Sequence, residues 1–144
     1  MSVKPSAALT VVFVVIGVIT ATPVLALADP EVLRWTYGVT DPDPMTLALL
    51  QHRGVLQLAL GAALVWAGLF APARVPVAVG ASVTKGTFLA LLLPHPALRE
   101  DVTPFSVVFD AACLVFFAAF LAATARARRI GARSSAPAAG ARTR

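Results

Sequence analysis

The sequence predicts an all-α membrane protein, a bundle of four transmembrane helices with both termini cytoplasmic. Hydrophobic residues make up 58% of the 144 residues and charged residues only 13%, against about 45–50% and about 25% in soluble domains. The mean hydropathy is +0.83. The apolar residues are gathered in four runs, each long enough to span about 30 Å of hydrocarbon at about 1.5 Å per residue.

The four predicted spans form one domain, 1–125, and cover residues 7–28, 45–70, 75–93 and 104–123. In lipid every backbone polar group must be satisfied within its own segment, and a helix achieves this. Asp43 before Pro44 and Thr103 before Pro104 are typical of an N-cap followed by the first helical residue. We therefore expect the second and fourth helices to begin at these two prolines.

The first run has two interpretations. The charged start at Lys4, the apolar run and the small residues of Ala26-Leu27-Ala28 are also typical of a signal peptide, whose cleavage would leave three helices. The run is longer than the roughly 7–15 apolar residues of a signal peptide. Its length favours a retained transmembrane helix.

The second run carries Gly54, Gly61 and Gly68 at intervals of seven residues. Small residues along one side of a helix let a neighbouring helix approach closely. They indicate packing inside the four-helix bundle, with homodimerisation as the alternative.

The basic residues outside the spans predict the orientation. Lys4, Arg74 and the tail 126–144 lie on one side, whereas the loop 29–43 on the other side is acidic. We expect a multi-pass protein of the cell (inner) membrane and a disordered basic tail that anchors this orientation or attracts anionic lipid. Although the isoelectric point is about 10.7, the tail has no interleaved aromatic residues, and we expect no nucleic-acid partner.

Trp35 and Tyr37 lie in the loop 29–43. Rings beside a span usually settle at the level of the lipid head groups. A lid over a pocket is the alternative, because the loop is longer than two neighbouring helices need.

Three charged residues lie within the spans: Arg53, Lys85 and Asp110. Each costs about 2.5–3.5 kcal/mol near the centre of a membrane helix. At about 1.5 Å per residue they lie about 12, 12 and 9 Å below the outer face. Because the three depths are similar, we expect one shared polar cluster.

The predicted ligand-binding cluster combines these charges with polar neighbours on the same helices: Gln51, His52, Arg53, Gln57, Lys85, Ser106 and Asp110. Two cations and one carboxylate leave a formal charge of +1, which favours a small anionic or quinone-like ligand. In the structural alternative Asp110 pairs with Arg53, and Lys85 bonds to carbonyl groups and Gln57. The partner is then the lipid bilayer, a membrane protein or a second copy of the chain.

An enzyme is also compatible with this cluster. His52 and Asp110 are the candidate acid and base, and Arg53 and Lys85 would stabilise developing negative charge. No spacing specifies a reaction or a cofactor. We expect no metal site, because His95 lies in a Pro-His-Pro loop, and an inert Cys113 within an apolar stretch.

The stretch Gln51-His52-Arg53-Gly54-Val55-Leu56-Gln57-Leu58-Ala59-Leu60-Gly61-Ala62-Ala63-Leu64 resembles the DoxX-like group of small four-helix membrane proteins. In that group the second helix often begins with an Arg-Gly pair, here Arg53-Gly54, and continues with regularly spaced glycines. The resemblance covers about the central hundred residues. It implies a membrane subunit of the kind linked to quinone-dependent sulfur oxidation, but no thiosulfate or quinone motif is present to carry that substrate over.

Overall fold

The computed structural model describes residues 7–134. Within them the chain forms six α-helices, α1 (Ala7–Ala21), α2 (Val32–Tyr37), α3 (Pro44–Leu69), α4 (Arg74–Leu92), α5 (Pro96–Asp101) and α6 (Pro104–Ser134), and no strand. Four of the helical segments in this part of the chain are long and apolar enough to cross a membrane: Ala7–Leu27, Pro44–Leu69, Ala71–Leu92 and Pro104–Ala132. They agree with the four predicted spans.

The first span changes its helix type partway. The α-helix ends at Ala21, and Thr22–Leu27 continues as a 3-10 helix with Pro23 in its first turn. Proline has no backbone N–H and its ring crowds the preceding turn, which explains why the α-helix ends here.

The start of α3 is the predicted one. Asp43 is the N-cap, and its carboxylate accepts hydrogen bonds from the backbone N–H groups of Met45 and Thr46. Helix α6 also begins at the predicted proline, Pro104. Thr103 was predicted to be its N-cap, but the Thr103 hydroxyl donates to the carbonyl oxygen of Thr36 in α2.

The closest packing in the bundle is between α1 and α3, which run antiparallel. The three glycines of α3 meet α1 in order: Gly68 lies against Thr10, Gly61 against Gly17, and Gly54 against Pro23. A Cβ atom at Gly61 would lie 2.5 Å from the carbonyl oxygen of Gly17. The glycine stripe therefore packs within the chain, and α1 is an integral part of the bundle.

The core between α1 and α6 is aromatic. Phe13 is fully buried, and its ring meets those of Phe116, Phe117 and Phe120 edge-on at 5.5–5.8 Å between centroids. Cys113 is a buried member of the same core. Here α6 packs against α1 and α4 together.

Arg74, which the sequence places between the second and third spans, is buried. It is 5% exposed, and its guanidinium donates to the carbonyl oxygens of Ala67 and Gly68 and to the hydroxyl of Thr10. The last carbonyl groups of a helix have no partner within the helix. Arg74 supplies hydrogen-bond donors to these carbonyl groups at the end of α3.

The disordered tail was predicted to begin at residue 126, which is too early. Helix α6 continues through 126–134 to Ser134. Alanine and arginine are strong helix formers, so this stretch extends an existing helix without needing an apolar face. The rest of the predicted tail, 135–144, lies outside the described residues.

Two short helices that we did not predict lie in the connections, α2 before α3 and α5 before α6. Helix α2 ends at Gly38, whose φ of 74° is the left-handed conformation that glycine adopts readily. Leu33 and Tyr37 of α2 form a second small core with Ala26. This core seats α2 on the end of the bundle at which α3 and α6 begin, called here the upper end.

Candidate functional site

A small chamber of about 50 Å³ lies at the upper end, beside α2. All the long helices and α2 contribute to its wall. It is lined by Ile19, Thr20, Thr22, Pro23, Thr36, Tyr37, Arg53, Gln57, Lys85, Phe88, Phe105, Ser106, Phe109 and Asp110. The chamber therefore contains all three charged residues that the sequence places inside the spans.

Lys85 and Asp110 form an ion pair across α4 and α6. Both are buried, at 4% and 8% exposure, and the Lys85 ammonium also lies 4.7 Å from the ring centroid of Phe109. The structural alternative had paired Asp110 with Arg53. The structure differs because α4 packs directly against α6 and brings Lys85 to the carboxylate.

Arg53 is held by aromatic rings. Its guanidinium carbon lies 4.9 Å from the ring centroid of Tyr37 and 4.6 Å from that of Phe88. Such cation–π contacts are attractive, but they leave the positive charge in place. Among the residues that the structure describes, Arg53 forms no ion pair.

A second, larger cavity is a cleft of about 390 Å³ along α3 and α4. Its lining residues come from these two helices and from α6: Arg53, Leu56, Gln57, Val83, Thr84, Lys85, Thr87, Phe88, Leu91 and Asp110. Leu56, Val83 and Leu91 are more than half exposed at its apolar edge. Arg53, Lys85 and Asp110 line both cavities, and so the cleft and the chamber meet at the charged residues.

The remaining predicted site residues occupy different places. Gln57 lines both cavities, and Ser106 lines the chamber while its hydroxyl donates to the carbonyl oxygen of Thr36. Gln51 lines neither, because its amide donates to the carbonyl oxygen of Ala26 at 3.0 Å. His52 is exposed and lines neither cavity. The structure thus brings together five of the seven and leaves Gln51 and His52 apart.

Thr20 and Tyr37 are buried polar residues of the chamber that were absent from the predicted cluster. Both are buried, at 3% and 6% exposure, and neither hydroxyl makes a hydrogen bond of normal geometry. Burial raises the pKa of Tyr37 above its ordinary value, and the nearby Arg53 charge offsets part of that rise. Tyr37 therefore stays protonated near neutral pH.

The signals for these two residues were weak. Threonine is common in membrane helices, so Thr20 by itself did not indicate a site. Tyr37 had been interpreted as a ring that lies at the level of the lipid head groups. Its neighbour Trp35 is 75% exposed. Of the two rings, only Tyr37 turns into the bundle.

The site offers hydrogen-bond donors and a surplus positive charge. The guanidinium, the ammonium, the Gln57 amide and two hydroxyl groups all donate hydrogen bonds, and Arg53, Lys85 and Asp110 carry a formal charge of +1. Within residues 7–134 no group of three His, Cys, Asp or Glu side chains lies close enough together to hold a metal ion. The chemistry available is that of an anion or carbonyl binder.

Comparisons with known proteins give no match: no family model, no curated protein and no solved structure matches this chain.

Proposed function

We propose that this chain is a DoxX-like multi-pass membrane protein that binds a small lipophilic molecule with an anionic or carbonyl head group. The observation that carries the proposal is the position of Arg53. Its charge has no acidic partner among the described residues, and it lies where the chamber meets the cleft. Arg53 is half-buried, and an unpaired charge within a membrane helix is costly; a bound anion or carbonyl oxygen would offset that cost.

The cleft suits the rest of such a molecule. Its volume of about 390 Å³ lies within the range of about 300–1,000 Å³ that is typical of small-molecule sites. The exposed side chains of Leu56, Val83 and Leu91 at its edge would contact lipid chains. The ligand would therefore move between bilayer and cleft sideways, between α3 and α4, with its head group towards Arg53.

We also propose that the upper end faces the outside of the cell membrane, with both termini in the cytoplasm. Arg126, Arg128 and Arg129 lie at the opposite end of the bundle, where the positive-inside rule places basic residues. In this orientation the chamber lies in the outer half of the bilayer.

Catalysis is a weaker candidate than binding. The enzyme hypothesis uses His52 and Asp110 as acid and base, but His52 lines neither cavity and the Asp110 carboxylate is engaged by Lys85. A role as the ligand-binding accessory subunit of a membrane complex agrees with the same geometry.

The test is native mass spectrometry of the full chain in lipid nanodiscs, comparing wild type with Arg53→Gln. Arg34→Gln is the matched control, because that arginine is exposed and pairs with Glu31 on the surface. We expect wild type and Arg34→Gln to retain a co-purified small molecule that Arg53→Gln loses. Wild type without any bound molecule, or equal retention by all three, would contradict the proposal.

The orientation has its own test. In a Cys113→Ala background, which removes the single cysteine, cysteine is introduced at Trp35 or at Arg128. A membrane-impermeant maleimide should label W35C in intact cells and R128C only after permeabilisation. The opposite pattern would reverse the topology.

A further inference from the structure

The chamber contains a buried hydroxyl group without a partner. Thr20 is 3% exposed, it lines the chamber, and its Oγ1 atom makes no hydrogen bond. Buried polar groups almost always have partners, and an unsatisfied one is costly. A group that enters the chamber would supply what the protein does not.

Other helical hydroxyl groups in this chain behave differently. Thr22, Ser82, Thr84 and Thr124 each donate to a carbonyl oxygen three or four residues earlier in their own helix. This local bond is the usual solution for serine and threonine in an apolar helix. Since Thr20 does not adopt it, its hydroxyl remains available to the chamber.

Tyr37 and Arg53 face the same space. The buried Tyr37 hydroxyl also lacks a hydrogen bond of normal geometry. Arg53 and Gln57 are close enough to lower its pKa in part. The Arg53 guanidinium carbon lies 4.9 Å from the ring centroid of Tyr37 and 4.6 Å from that of Phe88. The N–H edge of the guanidinium is the part that binds a planar carboxylate in a bidentate manner.

The size of the chamber restricts what it can hold. A cavity that accepts benzene measures about 150 Å³, and one water molecule takes about 30 Å³ of liquid volume. A chamber of about 50 Å³ that meets the cleft at Arg53 therefore suits a small head group better than a six-membered ring. It has room for a single small polar group such as a carboxylate.

We propose that the ligand is a single-chain carboxylic acid of the fatty-acid type, with its carboxylate in the chamber between Arg53, Thr20 and Tyr37 and its chain along the cleft. This inference rests on the proposed function and narrows its ligand class. A carboxylate brings the formal charge of Arg53, Lys85 and Asp110 from +1 to zero. A quinone ring, which suits the cleft better, would leave the Thr20 hydroxyl unsatisfied.

The experiment uses the full chain in nanodiscs of phosphatidylcholine and a photo-crosslinkable C16 fatty acid carrying a diazirine on its chain. Hexadecanoic acid, hexadecanol and a short-chain ubiquinone compete for labelling. We expect the acid to compete at concentrations about tenfold or more below those of the alcohol and the quinone, because hydrogen bonds to a charged group are the stronger kind.

Three variants test the chamber itself. Thr20→Val and Tyr37→Phe remove one hydroxyl each and should each weaken competition by hexadecanoic acid about tenfold. Thr124→Val is the matched control, since that hydroxyl bonds to Phe120 in its own helix, and it should leave competition unchanged. Thr20→Ser, which keeps the hydroxyl, should bind like wild type and tests the position even where Thr20→Val fails to fold.

The outcomes separate this inference from the proposed function. Equal competition by acid and alcohol, stronger competition by the quinone, or wild-type affinity in both Thr20→Val and Tyr37→Phe would overturn the carboxylate assignment. Labelling of Arg53→Gln equal to that of wild type, with no competition by any compound, would overturn the proposed site as well.

Discussion

Lys85 on α4 and Asp110 on α6 form a buried ion pair in the same chamber wall as Arg53, which forms no ion pair with any described residue. The Asp110 carboxylate therefore has its partner within the bundle, and the pair joins two helices that pack side by side. The pair therefore links α4 to α6. Because it engages the Asp110 carboxylate, Arg53 has no ion-pair partner among the described residues of the chamber.

Breaking this pair on one side should destabilise the bundle. Asp110→Leu leaves a buried ammonium without its partner and should lower the free energy of unfolding by about 3–5 kcal/mol, measured in detergent. The double variant Lys85→Met/Asp110→Leu should recover most of this loss, because neither position then holds a buried charge without its partner.

The matched control for the pair is the exposed one between Arg34 and Glu31, at 3.6 Å. Glu31→Gln should change the stability by less than about 1 kcal/mol. A double variant as unstable as Asp110→Leu would contradict the explanation by unpaired charge.

Gly61→Ala should destabilise the protein. The added Cβ would lie 2.5 Å from the carbonyl oxygen of Gly17, and a backbone atom cannot move aside cheaply. We expect a loss of about 1–3 kcal/mol, the usual cost of overpacking, in thermal or denaturant unfolding.

Gly80→Ala is its control, since no atom lies within 4 Å of the added Cβ. Replacing an unconstrained helical glycine by alanine should stabilise α4 by about 0.5–1 kcal/mol. The same sign of change in both variants would argue against close packing of α1 on α3.

Arg74 should contribute to stability through its hydrogen bonds. Arg74→Ala removes three donors from the carbonyl oxygens of Ala67 and Gly68 and from the Thr10 hydroxyl, and it should cost about 3 kcal/mol or more. Arg74→Lys keeps the charge but not the fork of donors and should recover only part of the loss.

The exposed Arg99 provides the comparison for Arg74. Arg99→Ala should change unfolding by no more than about 0.5 kcal/mol. Full recovery of stability by Arg74→Lys would show that charge alone matters at this position.

The cap at Asp43 predicts a pH dependence. A hydrogen bond from the Thr46 side chain, joined by bonds from the backbone, lowers the pKa of Asp43 below its ordinary value of 3.8. A lowered pKa in the folded state contributes stability that is present above the ordinary pKa and is lost as the pH falls through the folded value.

The test compares melting temperatures of wild type and Asp43→Asn from about pH 6 to pH 2. The difference in favour of wild type should be constant above about pH 5 and shrink below about pH 4. Asp29→Asn is the control, because the Asp29 carboxylate accepts a hydrogen bond from the backbone N–H of Glu31 and does not cap a long helix. A constant difference over the whole range would contradict the role of the ionised cap.

Much of the fold could be predicted because the signals are local. Run length and apolar composition predict helices in lipid, and Asp43 and the prolines mark where they begin and end. The disordered tail was predicted from missing periodicity. That reasoning failed for 126–134, because a helix already formed by packing needs only good helix formers to continue.

The sequence alone determined the four apolar helices and predicted one shared level for Arg53, Lys85 and Asp110, because composition and the rise per residue are properties of each helix by itself. Only the tertiary structure decided that Lys85 takes the carboxylate, that Tyr37 turns inward and that His52 stays outside. These outcomes depend on how each helix is rotated and on how the loops fold over the bundle. Contacts between distant parts of the chain, such as Gly61 on Gly17, set both.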